Sequence, residues 1–187
     1  MKHLPTLIIS ALTTLFVCAI SCNKDSNTHA TTKIKCVTCA NGGSCIDDSC
    51  HCPAGYEGAA CETMTRNKFI SSWTVTEKGT LSAQRQYSVQ INSNFATGIN
   101  TVQLSNFYDF YSFNYFINAT VSGDSIYVPL QHLEGKIFVG AGYIHSDPTF
   151  GQYGAITMRY MVTDSITGHV DDFGYASPAT GTSEWKK

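Results

Sequence analysis

The sequence predicts an all-β protein in two parts, a small disulfide-rich module followed by a larger domain of about eight antiparallel strands. Six of the eight cysteines fall between Cys36 and Cys61, and none follows. Across residues 66–187, apolar and polar residues alternate with period two. The breaks are short Gly-, Ser- and Asp-containing turns, with no helical repeat. Such a series closes as an up-and-down barrel or stacks as a sandwich, and the alternation alone does not separate the two.

The cysteine run reads CVTCANGGSCIDDSCHCPAGYEGAAC. A segment this short cannot bury enough apolar surface to fold unaided, so cross-links must hold it. Zinc fits poorly: Cys36 and Cys39 form one C-x-x-C knuckle, but Cys50 and Cys52 are too close for a second, and Cys45 is left over. The spacing, with NGGSC in the middle and CPAGYEGAAC at the end, resembles an EGF-like module over residues 36–62. Six cysteines alone leave the pairing open. The resemblance implies Cys36 with Cys45, Cys39 with Cys50, and Cys52 with Cys61, each small loop contributing roughly 2.5 to 3 kcal/mol. Calcium-binding members carry acidic residues before the first cysteine. Here Thr32, Lys33, Ile34 and Lys35 stand there, and no metal or cofactor is expected.

At 187 residues and 43% hydrophobic composition, the chain has room for one ordinary domain beside the module. A formal net charge of -2, with no basic run interleaved with aromatics, excludes nucleic acid as an expected partner. At the start, Met1-Lys2-His3 precedes an uncharged run from Leu4 to Ile20, short of the roughly 20 residues of a spanning helix and so read as a cleaved signal. Its end, Ala19-Ile20-Ser21-Cys22, resembles a bacterial lipoprotein box. That implies a signal peptide over 1–21, lipidation at Cys22 and a membrane partner reached through the N-terminal lipid. Polar residues 22–35 then read as a flexible tether. The expected address is the bacterial outer membrane or cell surface, an oxidising setting consistent with disulfides.

In the domain at 66–187, Tyr87, Val89 and Ile91 share one face, as do Val102 and Leu104. A longer alternation runs through Tyr111, Phe113, Tyr115, Ile117, Ala119 and Val121. Further strands are expected over 73–78, 126–130, 137–145, 155–163 and 170–175, with turns at Ser122-Gly123-Asp124 and Glu134-Gly135. The stretch NKFISSWTV, residues 67–75, resembles the opening of lipocalin and fatty-acid-binding-type chains, in which a helical turn precedes a tryptophan that plugs the barrel floor. This resemblance implies a lipocalin-like barrel. An eight-stranded interior holds packed side chains or one small ligand, so Tyr111, Phe113 and Tyr115 are the candidate ligand-binding residues or simply core filling. An exposed aromatic face for carbohydrate or protein is the third possibility.

Searching for catalysis finds no nucleophile elbow, phosphate loop or H-E-x-x-H pattern. What remains is His145 with Asp147, and His169 with Asp171 and Asp172, spaced so that a strand would place members of each group on one face. No catalytic or metal residue is assigned from these. The expectation is a non-catalytic, lipid-anchored envelope protein that binds a small ligand, a protein or a glycan. Alternatives are a structural or adhesive surface lipoprotein with a filled barrel, and an envelope enzyme with its site near His145 or His169.

Overall fold

A computed structural model of the chain describes residues 38–94, 98–110, 115–178 and 181–187. The expected signal (1–21) and tether (22–35), with Cys22, Cys36, Tyr111 and Phe113, lie outside them. The cysteine-rich module opens with β1 (Ser44–Ile46) and β2 (Ser49–His51), paired so that Cys45 faces Cys50. Asp47 and Asp48 make the turn, both with positive φ (49° and 61°), the primed geometry that two-residue hairpins favour. A second hairpin joins β3 (Tyr56–Glu57) to β4 (Thr63–Met64). Disulfides link Cys39 to Cys50 and Cys52 to Cys61. Cys45 is also disulfide-bonded.

The chain passes from β4 straight into a 3-10 turn, Thr65–Lys68, which is already part of the barrel floor. The Thr65 amide donates to the Gly55 carbonyl at 2.9 Å. Arg66 is fully buried and donates to the Gly98 carbonyl at 3.0 Å. Gly55, at φ +90°, has Ile99 where a side chain would stand. The module is therefore seated on the barrel through backbone and side-chain contacts.

Nine strands follow: β5 (Ser71–Glu77), β6 (Arg85–Ser93), β7 (Thr101–Ser105), β8 (Ile117–Ser122), β9 (Ser125–Leu133), β10 (Lys136–Asp147), β11 (Gly151–Asp164), β12 (Val170–Asp172) and β13 (Ser183–Lys186). β5 to β11 pair in sequence order, each antiparallel to the next. β13 then pairs with both β11 and β5, closing an eight-stranded up-and-down barrel. The sandwich alternative is thereby removed, and closure leaves none of the eight with an open edge.

β12 and β13 are two pieces of the eighth position. β12 pairs with Met161 to Thr163 of β11, and β13 with Ala155 to Met158 farther along the same side. Between them the described residues 174–178 and 181–182 lie outside the sheet, and Gly174 and Gly181 meet closely: a Cβ on Gly174 would collide with the Gly181 carbonyl oxygen. Sequence alternation anticipates β12 but not Ser183–Lys186, whose four residues follow this stretch. It also expects one run through Tyr111 to Val121, of which the described strand is the shorter β8.

The interior is packed with side chains. Trp73, Phe107, Phe138, Tyr160 and Trp185 are each at most 2% exposed. Trp73 follows the 3-10 turn and donates its indole N–H to the Phe69 carbonyl at 2.9 Å. Phe107 enters from the opposite end, on a short turn in which Asn106, Tyr108 and Asp109 all take positive φ. Its ring centroid lies 4.5 Å from that of Tyr160 and 5.9 Å from that of Trp185. Gly140 and Gly142 face inward on β10, where a Cβ would strike Tyr160 and Met158 respectively. Two absent side chains on one strand thus accommodate two large ones on the next.

One carboxylate is buried in this interior. Glu77 accepts from both the Nε and Nη2 of Arg85 and from the Tyr87 hydroxyl on one oxygen, and from Tyr160 and Ser183 on the other. Burial and the Glu77 charge push the Tyr87 phenol far above its ordinary value; Tyr160 is raised by burial and its charged neighbours.

Candidate functional site

Side chains alternate across a strand, so the outer face of the barrel is set by the residues between the core positions. On β9 and β10, Tyr127 and Tyr143 occupy such outward positions and are 47% and 52% exposed. Register sets Tyr127 opposite Ala141 and Ala141 opposite Arg159 of β11. The next row places Ser125, Tyr143 and Thr157 side by side. Ala141 is too small to fill the gap between its two large neighbours, and a groove results.

The far wall comes from the segment that follows β12, through Tyr175 and Pro178. Asp172 fixes its root: one carboxylate oxygen accepts from the Tyr175 and Ala176 amides at 2.7 and 3.2 Å, the other from Ser177 at 3.1 Å. The groove encloses about 420 Å³. It presents tyrosine rings on both walls, with Arg159, half-buried, between them.

The residues singled out from sequence lie elsewhere. Tyr115 is 44% exposed, its hydroxyl hydrogen-bonded to Glu134, whose carboxylate pushes the phenol up. A register shift between His145 and Asp147 breaks the alternation that would have put them on one face. His145 contacts the Ser146 carbonyl through Nδ1 and the Thr157 hydroxyl through Nε2, both at 3.1 Å, while Thr157 donates to Glu184 at 2.9 Å. Asp147 instead accepts from the Thr149 and Phe150 amides and pairs with Lys186 at 3.0 Å. The Thr149 bond first, then Lys186, holds its carboxyl below the usual range.

His169 is exposed, whereas Asp171 and Asp172 are buried. Asp171 receives the Ser82 hydroxyl, the Leu81 and Ser82 amides and the Tyr108 hydroxyl. Burial pushes its carboxyl up, but these donors more than offset that and hold it below the ordinary value. Both aspartates thus organise loops. No group of three or more metal-ligating side chains occurs among the described residues.

Sequence reasoning missed the groove because it followed the inward faces. The available signal was a tyrosine at an outward position of each of two neighbouring strands, Tyr127 and Tyr143. Which tyrosines would meet, and around what floor, depends on register. No family model matches the chain, and no curated protein matches it.

Proposed function

We propose that this chain is a non-catalytic, lipid-anchored envelope protein, attached through Cys22, with an EGF-like module and a lipocalin-like barrel that meets its ligand on the outer surface. The observation that supports this reading is the packing of the interior. With Phe107, Phe138, Tyr160 and Trp185 filling the barrel, a ligand has its best seat in the tyrosine-walled groove outside. The enzyme reading is not adopted, since the carboxylates near His145 and His169 are engaged by loop amides, by hydroxyls and by Lys186.

In-cell photo-crosslinking tests the binding reading. A photoreactive phenylalanine replacing Tyr143 should capture envelope material, and the same residue replacing Ile166, 89% exposed and outside the groove, should not. Equal yields from the two positions would remove the groove as the binding surface. For the address, Cys22→Ala should shift the chain from the membrane to the soluble fraction, and unchanged membrane retention would refute lipidation.

A further inference from the structure

Among the described residues, Arg159 is the only charged side chain lining the groove, and it makes no hydrogen bond or ion pair. Four other cations are ion-paired, Lys68 with Glu57 and Asp124, Arg85 with Glu77, Lys136 with Asp164 and Lys186 with Asp147, while Lys78 stands exposed to solvent outside any groove wall described above. Glu184, beside Thr157 on β13, takes the threonine hydroxyl and forms no ion pair with Arg159. A half-buried guanidinium held open between aromatic walls complements an anion. Its planar fork suits a carboxylate in particular.

The walls narrow the class further. β9, β10 and β11 are each paired along both edges here, so an extended peptide finds no free main chain to which it could add as a strand. Recognition falls to side chains, and what they offer is three tyrosine rings with exposed faces, Tyr127, Tyr143 and Tyr175, and the Ser125 hydroxyl. Sugar rings present C–H faces to aromatic planes and hydroxyls at their rims. We infer that the groove binds an acidic saccharide, a carboxylated sugar lying against Tyr127 and Tyr143 with its carboxylate on Arg159. This rests on the outer-surface binding reading above and adds the ligand's chemistry to it.

The test is calorimetric titration of the full chain with a panel of hexuronic-acid oligosaccharides (galacturonate, mannuronate and glucuronate series), each beside its neutral methyl ester. At least one acid form should bind, with its ester weaker by about tenfold or more. Arg159→Gln should lose a similar factor for the acid and leave the ester unchanged. Tyr143→Ala should weaken both, and Tyr115→Ala neither. Thermal melting of each variant establishes that it is folded. If acid and ester bind equally, or Arg159→Gln leaves the acid's affinity intact, the carboxylate inference is wrong while groove binding survives. Binding of acidic peptides but of no uronic oligosaccharide overturns the saccharide class. If no panel member binds, the inference fails, and the crosslinking from Tyr143 separately decides whether the groove binds anything else.

Discussion

Between Thr38 and Met64, Cys61 is the one hydrophobic side chain that is fully buried, and it is already half of a disulfide. In the barrel, 21 buried residues, drawn from every strand of the closed ring and from Phe69, Phe107 and Phe173 outside them, form one continuous cluster, without a cysteine among them. The two regions therefore answer to different physics. The module is held by constraint of its unfolded chain, which depends on redox state and loop length. The barrel is held by apolar burial and by the filling of volume, which does not. Yet they share a boundary through Arg66, Thr65 and Lys68, so the open question between them is how far one can fail without the other.

The largest expected effect is in the barrel. Trp185→Ala should cost about 3–5 kcal/mol, because a fully enclosed indole leaves a cavity that its ring neighbours cannot close. Urea unfolding followed by circular dichroism measures it, and a cost below about 1 kcal/mol would contradict a filled interior. Next comes the module. Replacing Cys52 and Cys61 together with alanine removes a loop of sequence separation 9, worth roughly 2.5 kcal/mol. Amide exchange should accelerate in β1 to β4 and stay slow in β5 to β11. Acceleration of both by the same factor would show that module and barrel unfold as one unit.

A third effect concerns the buried carboxylate. Tyr160→Phe removes one donor from Glu77, at 2.8 Å, and should cost about 1–3 kcal/mol. Tyr87 and Tyr160 are both raised, so each contributes stability that is complete below a pH of about 10 and lost as pH rises through the shifted value. The wild-type barrel should thus weaken steeply in alkali, and Tyr160→Phe should flatten that slope. An unchanged slope would mean the phenols are not what alkali attacks.

The barrel's strands were legible because a period of two survives wherever one face is buried, as in Tyr87-Val89-Ile91. The eighth position was legible only in part, since its four-residue closing piece Ser183–Lys186 pairs at both edges by virtue of closure, a long-range fact absent from local pattern. The cysteine spacing was legible because so few side chains compete with it. The groove was not, because it depends on Tyr127, Ala141 and Arg159 falling into one row across three strands, and on Tyr175 and Pro178 being brought over that row. His145 and Asp147 looked paired for the converse reason: a single register shift defeats an inference from spacing.

The smallest expected effect falls on the boundary itself. The Lys68 ammonium reaches Glu57 of the module at 2.8 Å and Asp124 of the β8–β9 turn at 2.7 Å, with the lysine stem only 6% exposed. Both carboxylates keep water, at 29% and 65% exposure, so Lys68→Met should cost no more than about 1 kcal/mol. The methionine would retain the stem's packing, which isolates the charge. Adding about 1 M salt should weaken the wild-type junction and leave Lys68→Met nearly indifferent, since exposed ion pairs are screened at that strength. Cleavage by a protease at the module, followed over time, reports the seating directly. A many-fold faster nick in Lys68→Met would place the burden of the junction on this one cation; little change would place it on Arg66 and the backbone bond from Thr65 to Gly55, which salt does not reach.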